Sequence, residues 1–135
     1  MENSQTALTN LDQLPNLHDA KLSPRELSSD YWTPEEQGEY KVGIIVEIKE
    51  ETYISEETGE EINLPCIIML AQDSSGDFNT IRNGSKRLVG TIEDAINSGE
   101  LIFNQTPVRV TYVGKSKNKT NSFKSDRWSV KPIIL

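Results

Sequence analysis

Between residues 40 and 49 apolar and polar positions alternate, Val42, Ile44, Val46 and Ile48 against Lys41, Gly43, Ile45, Glu47 and Lys49. A period of two puts one set on each face of an extended chain, so this stretch is expected to be a strand with one apolar face. Gly43 has no side chain to pack inside it and marks a bend or bulge. Residues 64–71, Leu-Pro-Cys-Ile-Ile-Met-Leu-Ala, are apolar on both faces and need cover on both. Residues 50–61 between them form a turn region. Asp73-Ser-Ser-Gly-Asp77 is a hairpin turn into a short strand over 78–82, which Asn83-Gly84 ends.

Only residues 85–98 change to helical spacing, with Leu88, Ile92, Ala95 and Ile96 on one stripe, Glu93 and Asp94 opposite, and Gly99 placed as the C-terminal cap. Two β-rich runs follow, 106–113 and 127–134, joined by a polar loop over 114–126. The order is β-β-β-α-β-β. Ahead of it, residues 1–29 are rich in Asn, Gln, Ser, Thr and Asp and read as a flexible acidic arm, leaving residues 30–135 as the domain. Thr33, Pro34 and Glu36 spell a capping box for one helical turn before Gly38. Tyr31 and Trp32 read as a plug that closes one end of the domain.

No apolar run is long enough to cross a membrane, and the first residues lack the basic and apolar regions of a secretion signal. A single cysteine, Cys66, and a single histidine, His18, leave no internal disulfide and no Cys/His zinc set. The expected compartment is the reducing cytoplasm. The net charge of −7 hides an asymmetry. Residues 1–38 carry seven acids and two bases and residues 39–61 eight acids and two bases, but residues 62–135 carry six acids and ten bases. A polyanion would therefore meet the C-terminal half, chiefly between Lys115 and Arg127.

Five strands with one helix between the third and fourth match the OB-fold, a five-stranded Greek-key barrel, and the chain is expected to be mainly β with that barrel. The phrases Tyr31-Trp-Thr-Pro-Glu-Glu-Gln-Gly38, Pro107-Val-Arg-Val-Thr-Tyr-Val-Gly-Lys115 and Asn118-Lys-Thr-Asn-Ser-Phe-Lys124 before Trp128-Ser-Val130 carry a resemblance. Over residues 30–135 the chain resembles small phage- or prophage-type OB-fold single-stranded DNA-binding proteins. That resemblance implies binding without sequence preference in phage or mobile-element replication and recombination, in the cytoplasm of a bacterial or phage-infected host cell. Typical bacterial single-strand binders end in an acidic tip; here the last residues are Pro132-Ile-Ile-Leu135, so a recruiting role would fall to the acidic N-terminal arm.

Single-strand binding needs cations for the backbone and flat rings for the bases. Lys115, Lys117, Lys119, Lys124 and Arg127 surround Phe123 and lead into Trp128, with only Asp126 opposing them. Arg109 alternates with Val108 and Val110 and should face outward. Arg82, Lys86 and Arg87 form a second basic cluster at the helix start, where a helix N-terminus can also hold a phosphate. Tyr53 and Phe78 near turns join Phe123 as stacking candidates, whereas Trp128 pairs with inward Val130 and is expected in the core.

Against these stand Glu50, Glu51, Glu56, Glu57, Glu60 and Glu61, which a nucleic acid would avoid. Together with the acidic arm they suit a basic replication protein. The alternative reading is accordingly an OB-fold interaction or structural module without nucleic-acid affinity. Ile45 and the Pro132–Leu135 end are candidates for a contact between copies of the chain. No phosphate-loop, dinucleotide, zincin or hydrolase-elbow motif occurs, and no enzyme is expected. Asp73, Ser75, Asp77 and Asn79 imitate the start of a calcium loop, but Phe78 stands where that loop needs glycine, and neither metal nor cofactor is expected.

Overall fold

In a computed structural model that describes residues 13–121 and 123–135, the extended runs pair into one six-stranded sheet. Its strands are β1 (Asp30–Tyr31), β2 (Tyr40–Ile54), β3 (Glu61–Gln72), β4 (Phe78–Asn83), β5 (Pro107–Lys117) and β6 (Lys124–Pro132), in the order β1-β4-β3-β2-β5-β6. Helix α1 (Lys86–Ser98) lies between β4 and β5. The fold is mainly β, as expected. Among the described residues no helix is long and apolar enough to cross a membrane.

Two features of the sheet depart from a five-stranded closed barrel. The first is a sixth strand: Asp30 and Tyr31 pair parallel with Ile81 and Arg82, and Trp32 N–H donates to Arg82 C=O at 2.9 Å. The second is that the ladder stays open between β1 and β6. Side chains bridge that opening. Trp32, just after β1, meets Trp128 of β6 edge-on with ring centroids 5.5 Å apart, and Tyr112 of β5 lies 5.2 Å from Trp128 on another side. Trp32 is buried, so the expected plug is found there, while Tyr31 stays exposed.

The inner face of the sheet and α1 enclose the core. Ile45, Ile67, Met69, Ile81, Val108 and Val110 come from the strands, Leu88, Val89 and Ile92 from the helix. The helix follows its sequence signals: Ser85 is the N-cap, and Gly99 takes the left-handed conformation, φ 82°, that stops it.

The apolar face expected for β2 is broken in the middle. Ile45 pairs with Met69 and Glu47 with Ile68, so Val46 is an extra residue and side chains beyond it change faces. Ile45 is 0% exposed rather than available to a second copy, and Ile48 joins the core from the other side of the bulge. Gly43 permits the approach that precedes it. A Cβ there would lie 2.0 Å from Leu70 O, far inside van der Waals contact with backbone that cannot swing away.

Val46, Ile68 and Leu70 form a second buried cluster on the outer face. A strap of the N-terminal arm crosses there. Glu47, Ile68 and Arg82 are partners in one row across β2, β3 and β4. Arg25 pairs with Glu47, and Ser29 Oγ accepts from Arg82 Nε at 2.8 Å. Four residues of chain therefore span two strand spacings, about 10 Å, and pass over Ile68, which is 5% exposed. On this outer face Ile68 and Leu70 of the doubly apolar β3 are buried, while Leu27 of the strap stays exposed.

Three further expectations are corrected. Residues 33–38 form no helical turn, because Glu39, beyond the expected box, takes the backbone N–H groups of Glu35 and Glu36 on its own carboxylate. The region 50–61 is mostly ladder, with Glu51 paired to Leu64 and Tyr53 to Ile62, leaving residues 55–60 as the turn. The loop expected over 114–126 is likewise a hairpin that stays paired out to Lys117 and Lys124. The β5–β6 hairpin is polar on each face at its end and carries no alternation to announce it, whereas on the β2–β3 hairpin Glu61-Ile62-Asn63-Leu64 does alternate, only briefly and among many glutamates.

Candidate nucleic-acid interface

Side chains from two separate basic stretches converge beside the N-terminus of α1. The β5–β6 hairpin brings Lys115, Lys117, Lys124 and Arg127 on paired strands, with Lys119 at its tip. Helix α1 brings Lys86 and Arg87. One open groove of about 690 Å³ is lined by Arg87, Ser116, Lys117, Asn118, Lys119, Thr120 and Arg127. A second of about 270 Å³ is lined by Ser85, Lys86, Arg87, Lys115, Lys124, Ser125 and Asp126. Arg87 belongs to both, and its Nη2 donates to Asn118 Oδ1 at 3.2 Å.

The framework under these cations is hydrogen-bonded and includes one carboxylate, Asp126. Trp128 Nε1 donates to Ser85 Oγ at 3.0 Å, which ties the helix start to β6. Tyr112 Oη donates to Asp126 Oδ1 at 3.0 Å. Burial, followed by that bond and the Asp126 charge, pushes the Tyr112 phenol above its ordinary pKa, so it remains a donor. Arg127 is oriented by the Ser116 hydroxyl and the Lys117 carbonyl. The tip closes through Asn118 N–H to Phe123 C=O at 2.9 Å and Phe123 N–H to Asn121 Oδ1 at 2.9 Å. Phe123 is held by its backbone while its ring is 73% exposed.

What sets this site apart is the gathering of cations rather than the lack of partners, since Lys21, Lys41, Lys49, Arg109 and Lys131 are outside ion pairs too. Among the described residues the ion pairs are Arg25–Glu47 and Arg82–Glu51, both on the outer face toward the acidic hairpin. None of the seven groove bases takes part in either pair. The one carboxylate lining the two grooves is Asp126, the cross-strand partner of Lys115.

The residues singled out from sequence thus divide. Lys115, Lys117, Lys119, Phe123, Lys124 and Arg127 come together, and the helix-start pair Lys86 and Arg87 joins them. Arg82 does not: it sits on β4 with its guanidinium against Glu51, Ser29 and the Tyr31 ring, 5.0 Å away. Arg109 is exposed on the outer side of β5, stacked 3.8 Å over the Tyr40 ring. Phe78 opens β4 in the same cross-strand row as Arg109, with Gln72 and Val42 between them. Tyr53 pairs with Ile62 on the acidic hairpin; its side chain lies outside the described residues. Tyr40, the first residue of β2, is not among the residues that the sequence singles out. An aromatic at the first outward position of a strand was the available sign that it could face a neighbour's cation.

Cys66 is buried on β3, where burial and then the Glu51 charge push its thiol up, against a smaller pull from Arg82. The calcium-like segment is a turn in which the Asp73 carboxylate accepts from Ser75 and Asp77 N–H and from Ser75 Oγ. Among the described residues no group of three or more His, Cys, Asp or Glu is placed to hold a metal ion. In comparisons with known proteins, no family model, curated protein or solved structure matches this chain.

Proposed function

We propose that this protein binds single-stranded DNA without sequence preference, through the groove between the β5–β6 hairpin and the start of α1. The observation that carries the reading is the convergence of Lys86, Arg87, Lys115, Lys117, Lys119, Lys124 and Arg127 on two adjoining grooves, with an exposed Phe123 at the tip of the same hairpin and no carboxylate in an ion pair with any of them among the described residues. In a chain of net charge −7, such a concentration is a local attractor for a polyanion rather than a general property of the surface. Phosphates meet ammonium and guanidinium groups, and the Phe123 ring offers a π-face that any base can stack on. No groove into which a duplex edge must fit is required.

The OB reading is kept with it. The order β4-β3-β2-β5-β6 is what an OB barrel gives when the ladder between its third and fifth strands is left open, and the β5–β6 hairpin then stands where such proteins frame a ligand. The setting implied by the resemblance is phage or mobile-element replication and recombination, where a binder of exposed single strands acts by holding them.

The test is fluorescence anisotropy of a labelled oligothymidine of about 30 nucleotides, long enough for a few OB-type sites. Neutralising about four single-strand phosphates gives a slope near −3 in log affinity against log salt, at about 0.7 per phosphate. Lys115→Ala, Lys117→Ala and Lys119→Ala together should flatten it by about 2. An unchanged slope removes the hairpin from the site. No binding even at low salt turns the reading to the interaction module, with the acidic arm and hairpin as its docking elements.

A further inference from the structure

We infer that a strand held in this groove continues over the outer face of β5 and β6, on a track made by Arg127, Lys131 and Arg109, and avoids the outer face of β3 and β4. The inference rests on the nucleic-acid reading above and adds which face of the sheet the polymer follows.

Strand β6 is regular between Arg127 and Lys131, because the irregularity of this hairpin lies at Val113 on β5. Arg127, Ser129 and Lys131 therefore point to the same side, and Arg127 already lines the hairpin groove. Their partners on β5 are Gly114, Thr111 and Arg109. Large cations thus alternate with small side chains. Arg109, Thr111, Ser129 and Lys131 line a separate shallow depression of about 280 Å³, two residues along β6 from Arg127 on the same side. Four residues of strand from Arg127 to Lys131 add about 13 Å of track.

The electrostatics of the two halves of this face are opposed. Asp126, the one acid of β6, is on the opposite side of the hairpin with Lys115, Lys117 and Lys124, where it lines the second groove and accepts from Tyr112, so the outer side from Arg127 to Lys131 carries no acid of β6. Arg109 is stacked on Tyr40 rather than paired with a carboxylate. Across the sheet, the strap from Arg25 to Ser29 already lies over β3, and Glu47 and Glu51 take the charges of Arg25 and Arg82. A polyanion entering there would have to displace the strap and would uncover those two carboxylates. Moving from the hairpin tip toward Lys131 costs neither.

The test compares oligothymidines of about 5 and about 15 nucleotides, near the two ends of the ~4–16-nucleotide range of single OB-type sites. The protein carries Arg109→Gln with Lys131→Gln; both positions are exposed, so the far-ultraviolet circular dichroism and melting temperature should stay those of wild type. For the longer oligomer the salt slope should flatten by about 1.4, two phosphates at about 0.7 each. The shorter one, confined to the hairpin groove, should be unaffected. Arg109→Lys with Lys131→Arg, which keeps both charges, should retain the wild-type slope. If wild type binds both oligomers and the Gln pair changes neither, or weakens both equally, the track is overturned while the groove stands. If wild type binds neither, the groove reading fails and the track with it.

Discussion

Trp128 is the residue through which the fold and the candidate site depend on one another, and replacing it should show both. Its ring packs against Trp32 and Tyr112 across the opening of the ladder, and its Nε1 holds Ser85 at the start of α1. Truncating a fully buried tryptophan to alanine costs about 3–5 kcal/mol. Trp128 is half-buried, which argues for the lower end. Two aromatic pairs at about 0.5–1.5 kcal/mol each and one hydrogen bond near 1 kcal/mol give the same figure, about 3 kcal/mol. Urea unfolding followed by far-ultraviolet circular dichroism should then show a midpoint lower by about 1.5 M, for a slope near 2 kcal/mol per molar. Trp128→Phe keeps a ring and loses the Ser85 bond, so it should cost about 1 kcal/mol. The Trp32→Ala, Trp128→Ala cycle should be non-additive by about 0.5–1.5 kcal/mol. A Trp128→Ala protein within about 1 kcal/mol of wild type, or an additive cycle, would refute closure of the sheet by these rings.

Ile45→Ala should lose about 2–5 kcal/mol in the same assay, because the side chain is fully enclosed; a neutral result would return Ile45 to the surface. The backbone N–H groups of Glu36 and then Glu35 hold the Glu39 carboxylate below its usual pKa. Its contribution is therefore complete above the ordinary carboxylate range and is lost as pH falls through the lowered folded value. The melting temperatures of wild type and Glu39→Gln should differ near neutral pH and converge in acid; a gap that persists in acid would be evidence against charge as its cause. Iodoacetamide should leave Cys66 unmodified in the native protein near pH 8 and alkylate it in urea. Native labelling at the denatured rate would mean that β3 lacks its outer cover.

Local patterns determined the existence of five of the six strands, the α-helix with its Ser85 and Gly99 ends, and the stretch where positive charge would gather. These are properties of neighbours in the chain: period two, period 3.6, a glycine stop and a run of lysines. Tertiary structure decided what those patterns leave free. A single extra residue at Val46 reversed the faces of β2 and took Ile45 inside, and alternation alone cannot reveal a bulge until the partner strand fixes the register. Arg82 and Lys86 are near in sequence, yet the first is neutralised by Glu51 on one side of the sheet and the second reaches the groove on the other. The docking of the arm over Ile68 and the meeting of Trp32 with Trp128 join residues far apart along the chain. Composition can say that 62–135 is basic; which of those bases remain uncompensated depends on which acids the folded backbone brings beside them.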